Sequence, residues 1–168
     1  MEGEHRLGPV KALPYEESTH LSLYISGPGI TPGTQVDALV SNVDFYATVT
    51  DIQGEPELRD GRSLLPLATG EIAPSEWPRK SILTEGVERA GNFEMVRTGR
   101  YKYIEYHNGE KELYDLQADP YELESFDESA DPALLAQLHS IVEELATCEK
   151  DSCRVADQRQ VTGQAASP

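Results

Sequence analysis

Cysteine is scarce in this chain: Cys148 and Cys153 are the only two in 168 residues. Two are too few for a zinc site on their own, and no histidine stands beside them. A local disulfide is their expected use and would imply an oxidising compartment; two free thiols is the alternative. Cations are scarce too: 14 Lys and Arg against 30 Asp and Glu give a formal net charge of -16. Phosphate contacts need clustered Lys and Arg, so the balance argues against nucleic acid as a partner and against an anionic membrane surface. It reads instead as a solvated, soluble surface. No apolar run is long enough to span a bilayer. The start, Met1-Glu2-Gly3-Glu4-His5-Arg6, has no apolar signal core. No internal repeat is apparent. A hydrophobic share of 38% and a mean hydropathy of -0.49 are low for a compact domain, yet the length allows one domain with a core.

The richest stretch is 3–30, GEHRLGPVKALPYEESTHLSLYISGPGI. His5, Arg6 and Lys11 place three potential cations close together in an acidic chain. The pattern predicts loop with room for one short turn over 1–19, then a buried strand over 21–26 built on Leu21, Leu23, Tyr24 and Ile25. Gly27-Pro28-Gly29 ends that strand, and Thr31-Pro32-Gly33 signals a turn. Loops at the ends of buried strands are where α/β folds place their chemistry.

Residues 41–53 read as a helix. Ser41 is its expected cap, with Asp44 completing a capping-box-like pair, and Phe45, Val49 and Ile52 give an apolar face. Gly54 stops it. Short strands follow at 81–85 and 95–98, joined by an exposed loop over 86–91. The clearest local signal is 100–116. Tyr101, Tyr103, Ile104 and Tyr106 fill one strand, and Leu113, Tyr114 and Leu116 the next. Asn108-Gly109 turns between them, because both residues accept positive φ. The tyrosines suit sheet packing, with a carbohydrate-stacking platform as the alternative. Residues 131–147 form the best helix: Asp131 caps it, Pro132 takes its first position, and Leu134, Leu138, Ile141 and Leu145 make a stripe that packs on the hairpin. From Asp157 onward the polar tail reads as disordered.

The order of these motifs resembles the sulfatase family of the alkaline-phosphatase-like superfamily. Gly-Glu-His-Arg, then Lys11, Tyr-Glu-Glu, a strand and Gly-Pro-Gly-Ile are similar to the segment after the family's second pair of metal ligands. The run Arg-Tyr-Lys-Tyr-Ile-Glu-Tyr, Asn-Gly, Glu-Leu-Tyr-Asp-Leu, Asp-Pro-Tyr-Glu-Leu resembles its C-terminal subdomain. Asp60-Gly61-Arg62-Ser63-Leu64 resembles a structural turn to which no chemistry is assigned. The likeness is closest to bacterial N-acetylglucosamine-6-sulfatase-like arylsulfatases, whose ends carry a similar paired-cysteine tail. The resemblance implies an α/β fold: the last part of a sulfatase core over 1–75, an antiparallel sheet with a packed helix over 76–156, and a disordered tail over 157–168.

It also implies a sulfuric ester hydrolase acting on sulfated sugars or aryl sulfates, with Lys11 as the sulfate-contacting lysine. His5 is assigned to the substrate pocket, against plain surface charge as the alternative. The complete enzyme would use calcium and a formylglycine, and the family is often secreted or periplasmic. Neither the metal ligands nor the Cys-x-Pro-Ser-Arg nucleophile motif is in this sequence, so the chain alone is expected to be inactive. Ser22 stands where the family usually has proline, which would loosen the loop before the strand. Two other readings are a stand-alone non-catalytic binding module and a piece of a related phosphonate or phosphate monoester hydrolase.

Overall fold

Alternating apolar residues over 93–115 give a strand a buried face on each side, and that pattern builds the centre of the molecule. The computed structural model describes His5 and residues 13–55, 59–86 and 92–162. Its sheet has four antiparallel strands in sequence order: β1 (Ser81–Gly86), β2 (Phe93–Thr98), β3 (Tyr101–Tyr106) and β4 (Lys111–Asp115). Leu83 pairs with Val96, Val96 with Tyr103 and Tyr103 with Leu113, so one row of apolar side chains crosses the sheet. At the hairpin only Gly109 takes positive φ, at 93°, and the Asn108 side chain accepts from the Glu110 N–H. The expected left-handed Asn108 is therefore not used; its side chain closes the turn instead.

Helix α4 (Pro132–Thr147) covers one face. The Asp131 carboxylate accepts from the Ala133 N–H at 2.9 Å, with Pro132 in the first turn. Leu134, Leu138, Ile141 and Val142 pack on Val96, Tyr101, Tyr103 and Leu113. Phe93, Met95, Ile104 and Tyr114 form a second cluster with Tyr15, Tyr106 and Leu116 packed against it. The short helix α1 (Glu16–Thr19) follows Tyr15 directly, and another short helix, α3 (Leu65–Thr69), precedes the sheet in the chain.

Helix α2 (Asp44–Ile52) starts later than the capping pattern predicts. The Ser41 hydroxyl turns to Asn42, and the Asp44 carboxylate takes the Ser41 N–H at 2.8 Å. Half of the reciprocal pair forms. The helix buries Asp44, Ala47 and Thr50, while Phe45, Val49 and Ile52 face outward. The stretch over 21–26 is not a strand. It has no regular secondary structure and is exposed, with Tyr24 at 90%. A strand needs a neighbour to satisfy its backbone groups, and among the described residues this one has none. Apolar residues of 21–26 and of α2 are thus left exposed.

The buried Arg79 and the partly buried Arg62 join α2 to Asp157, the residue after α5. Arg79 binds both Asp44 oxygens and donates through Nε to Asp157 at 3.0 Å. Arg62 binds Asp157 as well, at 2.6 Å, and its N–H reaches Asp44 at 2.8 Å. Gly61 lets this turn approach α2: a Cβ there would lie 2.2 Å from the Val43 carbonyl oxygen. Asp157 is supplied from the end of α5 (Asp151–Ala156), which the disulfide Cys148–Cys153, Cα–Cα 4.9 Å, links to the end of α4. The tail reading is therefore corrected for 157–162. Asp157 is buried because it neutralises two arginines, and Thr162 exchanges hydrogen bonds with the Gln137 amide. Residues 163–168 lie outside the described residues, as do residues 87–91 of the loop expected after β1.

Candidate active-site segment

Residues 14–16, with His5 beside them, are fastened to the sheet face opposite α4. Lys102 on β3 has no exposed side-chain surface, and an ammonium cannot stay buried without partners. It donates to the Pro14 carbonyl at 2.9 Å and lies 2.8 Å from Glu16 Oε1 and 2.7 Å from Glu122 Oε1. The other Glu122 oxygen accepts the Glu16 N–H at 2.6 Å. Arg97 on β2 approaches Glu16 Oε1 at 3.6 Å. Burial pushes the Glu16 carboxyl up, but hydrogen bonding and charge from Lys102 prevail and hold it below its ordinary value. For Glu122, burial wins over the same lysine and the carboxyl is raised. Glu122 also adopts φ 54°, a left-handed conformation that costs a non-glycine residue on the order of 1 kcal/mol. The surrounding contacts hold that backbone in place.

Beside this ionic centre lies an aromatic one. The hydroxyls of Tyr106 and Tyr114 donate to Glu112 at 3.2 and 3.0 Å, and Tyr15 reaches the same carboxylate at 3.5 Å. Burial, reinforced by the Glu112 charge, raises all three phenols. Tyr15 packs edge-on to Tyr114. His5 stacks flat on Tyr15, with ring centroids 3.8 Å apart and planes at 10°. Its Nε2 lies 3.7 Å from Glu17 Oε2. The two ends of the stretch between His5 and Tyr15 therefore meet on this sheet. Lys11 itself lies outside the described residues.

Among the described residues, one group has metal-ligand character: His5, Glu17 and Glu122, with ligand atoms within 4.8 Å of one another. It does not fit calcium, which takes six to eight oxygen ligands. This set offers one imidazole and two carboxylates, and Lys102 already neutralises Glu122. Neither cysteine can supply a formylglycine, because each is bound to the other. Arg79 and Asp157 belong to no sequence motif used above; Lys102 and Glu122 stand inside the quoted runs Arg-Tyr-Lys-Tyr-Ile-Glu-Tyr and Asp-Pro-Tyr-Glu-Leu, which assign them no role. The signal for Lys102 is its place on a strand with apolar neighbours on both faces: Tyr101 and Tyr103 on one, Ile104 on the other. A lysine there must be buried, and so must find carboxylates.

Solved structures place this architecture among sulfatases. One neighbour is a 2-O glycosaminoglycan sulfatase, with a TM-score of 0.60 and 26% identity, matched over 88% of this chain and 35% of that one. Another, solved in complex with its substrate D-glucosamine-2-N,6-O-disulfate, has a TM-score of 0.61 and 27% identity, over 77% of this chain and 27% of that one. The chain belongs to the sulfatases: residues 3–148 match the family described as N-sulphoglucosamine sulphohydrolase, C-terminal. Arylsulfatase K from Gallus gallus is 42% identical over 121 residues, 65% of this chain. The human protein of that name is 41% identical over the same length. The chain spans 22% of the length of each.

Proposed function

We propose that this chain is the C-terminal part of a sulfatase that hydrolyses sulfate esters of sugars or aryl alcohols. Lys11 contacts the sulfate and His5 lines the substrate pocket. What carries the reading is the family match over 3–148, supported by the packing of His5 and Pro14, which flank Lys11 in the chain, against Tyr15 and Lys102. A lysine ammonium is a compact charge with three donors and suits a tetrahedral sulfate. As the S–O bond breaks, charge grows on the leaving oxygen, and a fixed cation there stabilises the transition state.

The domain division follows from this reading. Residues 1–75 complete an α/β core, and the outward-facing Leu21, Tyr24, Phe45 and Val49 are the surface on which the rest of that core packs. That upstream part supplies the calcium ligands and the formylglycine nucleophile, neither of which the described residues fit. The disulfide agrees with a secreted or periplasmic enzyme.

The test compares two proteins, using a chromogenic aryl sulfate with calcium present. This chain alone should show no turnover. The chain joined to an N-terminal sulfatase part bearing Cys-x-Pro-Ser-Arg should hydrolyse the ester. Metal-dependent turnover by the chain alone, or a folded joined protein with no turnover, would overturn the proposal.

A further inference from the structure

The turn Asp60-Gly61-Arg62-Ser63-Leu64, to which the sequence assigns no chemistry, is where the disulfide-bridged end of the chain docks. The Lys150 N–H donates to Asp60 Oδ1, and the Arg154 guanidinium donates to the Gly61 carbonyl at 3.0 Å. Arg62 returns the contact by donating to the Arg154 carbonyl. Asp157 follows directly. Its carboxylate takes Arg62 and Arg79, and its carbonyl accepts from the N–H groups of Lys80 and Ser81 at 2.6 and 3.1 Å. The element that delivers Asp157 to this centre is weak by itself. Helix α5 has six residues, and a helix that short is marginal without outside support. Lys150, between the two cysteines, takes φ 53°, a left-handed conformation that a residue with a side chain disfavours. The Cys148–Cys153 bridge closes over both.

We propose that this bridge is a redox-sensitive latch on the joint between α2 and the sheet subdomain. Cys153 is buried, while Cys148 is half-buried beside the exposed residues 149–152, so a dithiol reductant reaches Cys148 first. One reductant thiolate attacks Cys148 Sγ and displaces Cys153 as a thiolate, which takes up a proton. The second reductant thiol then displaces Cys148 from the mixed disulfide. The bridge ends as two thiols and the reductant as a disulfide. With the bridge open, Lys150 leaves its left-handed conformation, α5 loses its tie to α4, and Asp157 withdraws from Arg62 and Arg79. Arg79 keeps Asp44, but the turn at Arg62 loses its anchor to the end of the chain. The hairpin of β3 and β4 takes no part in these contacts and stays folded. The inference is independent of the sulfatase reading.

Hydrogen exchange on this chain tests it, comparing the oxidised protein with protein reduced by a dithiol. The amides of Arg62, Lys80 and Ser81 donate to Asp44 and Asp157. They should exchange about tenfold faster or more after reduction, while those of β3 stay protected. Reoxidation should restore the protection, and Cys148→Ser with Cys153→Ser should match the reduced protein. Asp157→Asn, which keeps the bridge, should speed exchange at Arg62 by a similar factor. Unchanged exchange at Arg62 and Lys80 on reduction would overturn the latch. Equal acceleration in β3 would overturn it as well, because the bridge would then hold the whole fold. Wild-type exchange at Arg62 in Asp157→Asn would overturn the route through that carboxylate.

Discussion

Arg79 and Asp44 form a buried bidentate ion pair, with Nη1 2.5 Å from Oδ2 and Nη2 2.7 Å from Oδ1. Asp44 is the first residue of α2, and its side chain has no exposed surface. The pair therefore ties the part that resembles an α/β core to the sheet subdomain. Arg79→Met should cost about 3 kcal/mol, because it leaves Asp44 buried beside only backbone donors and removes one partner of Asp157. Urea midpoints of the two proteins measure this. A change of less than about 1 kcal/mol would mean that the pair is not a joint of the fold.

Leu138 is fully buried between α4 and the sheet. Leu138→Asp should cost about 4 kcal/mol or more, from lost apolar burial and an unpaired buried carboxylate. Near-UV circular dichroism and thermal melting should show a loosened or unfolded protein. A cooperative melt near the wild-type temperature would contradict the packing of α4 on the sheet.

The Cys148–Cys153 bridge closes a short loop, so reduction should destabilise by only about 2 kcal/mol. Its larger effect should be local, on α5 and on Asp157. Mass spectrometry after alkylation of unreduced protein should find no modified thiol. Two alkylated cysteines would refute the bridge.

Much of the sheet subdomain was legible in the sequence because its signals are local. Asp131-Pro132 starts α4, Asn108-Gly109 marks the hairpin, and the alternation of apolar residues gives the strands. The stretch over 21–26 was misread because its fate depends on a neighbour. Leu21, Leu23 and Ile25 favour a strand, but no described strand pairs with them, so they lie exposed without regular structure. Phe45, Val49 and Ile52 show the same limit: the periodicity identifies an apolar face but not what covers it. The pairing of Lys102 with Glu122 is not legible in the sequence because they lie 20 residues apart, although the apolar neighbours of Lys102 mark it as buried. The end of the chain was misread from composition, since polar residues after Ala156 look disordered until Asp157 is seen to hold Arg62 and Arg79.

Acid should weaken the fold through three carboxylates. Burial pushes Glu105 up, but hydrogen bonds from Tyr103, Lys111 and His139 hold it below its ordinary 4.5. Asp115 is lowered because the hydrogen bond from Arg100 prevails over burial, and Glu16 because Lys102 does. A carboxylate depressed in the folded state contributes stability above its unfolded pKa and loses it as pH falls through its folded pKa. Glu122 is raised, so it works in the opposite sense: its contribution is fully present below its unfolded pKa and is lost as pH rises through the folded one. Thermal midpoints should therefore fall as pH drops below about 4.5, and Glu105→Gln should flatten that fall. Parallel pH profiles for the two proteins would remove Glu105 from the account.

The central claim is that Lys11 acts on a sulfate ester in a complete enzyme of which this chain is the C-terminal part. It is tested most directly by kcat/KM for aryl sulfate hydrolysis in that enzyme, wild type against Lys11→Ala. The account predicts a loss of roughly a hundredfold or more, the scale for removing one transition-state donor. Stability should change by no more than about 0.5 kcal/mol. Near-wild-type turnover in Lys11→Ala would contradict the account.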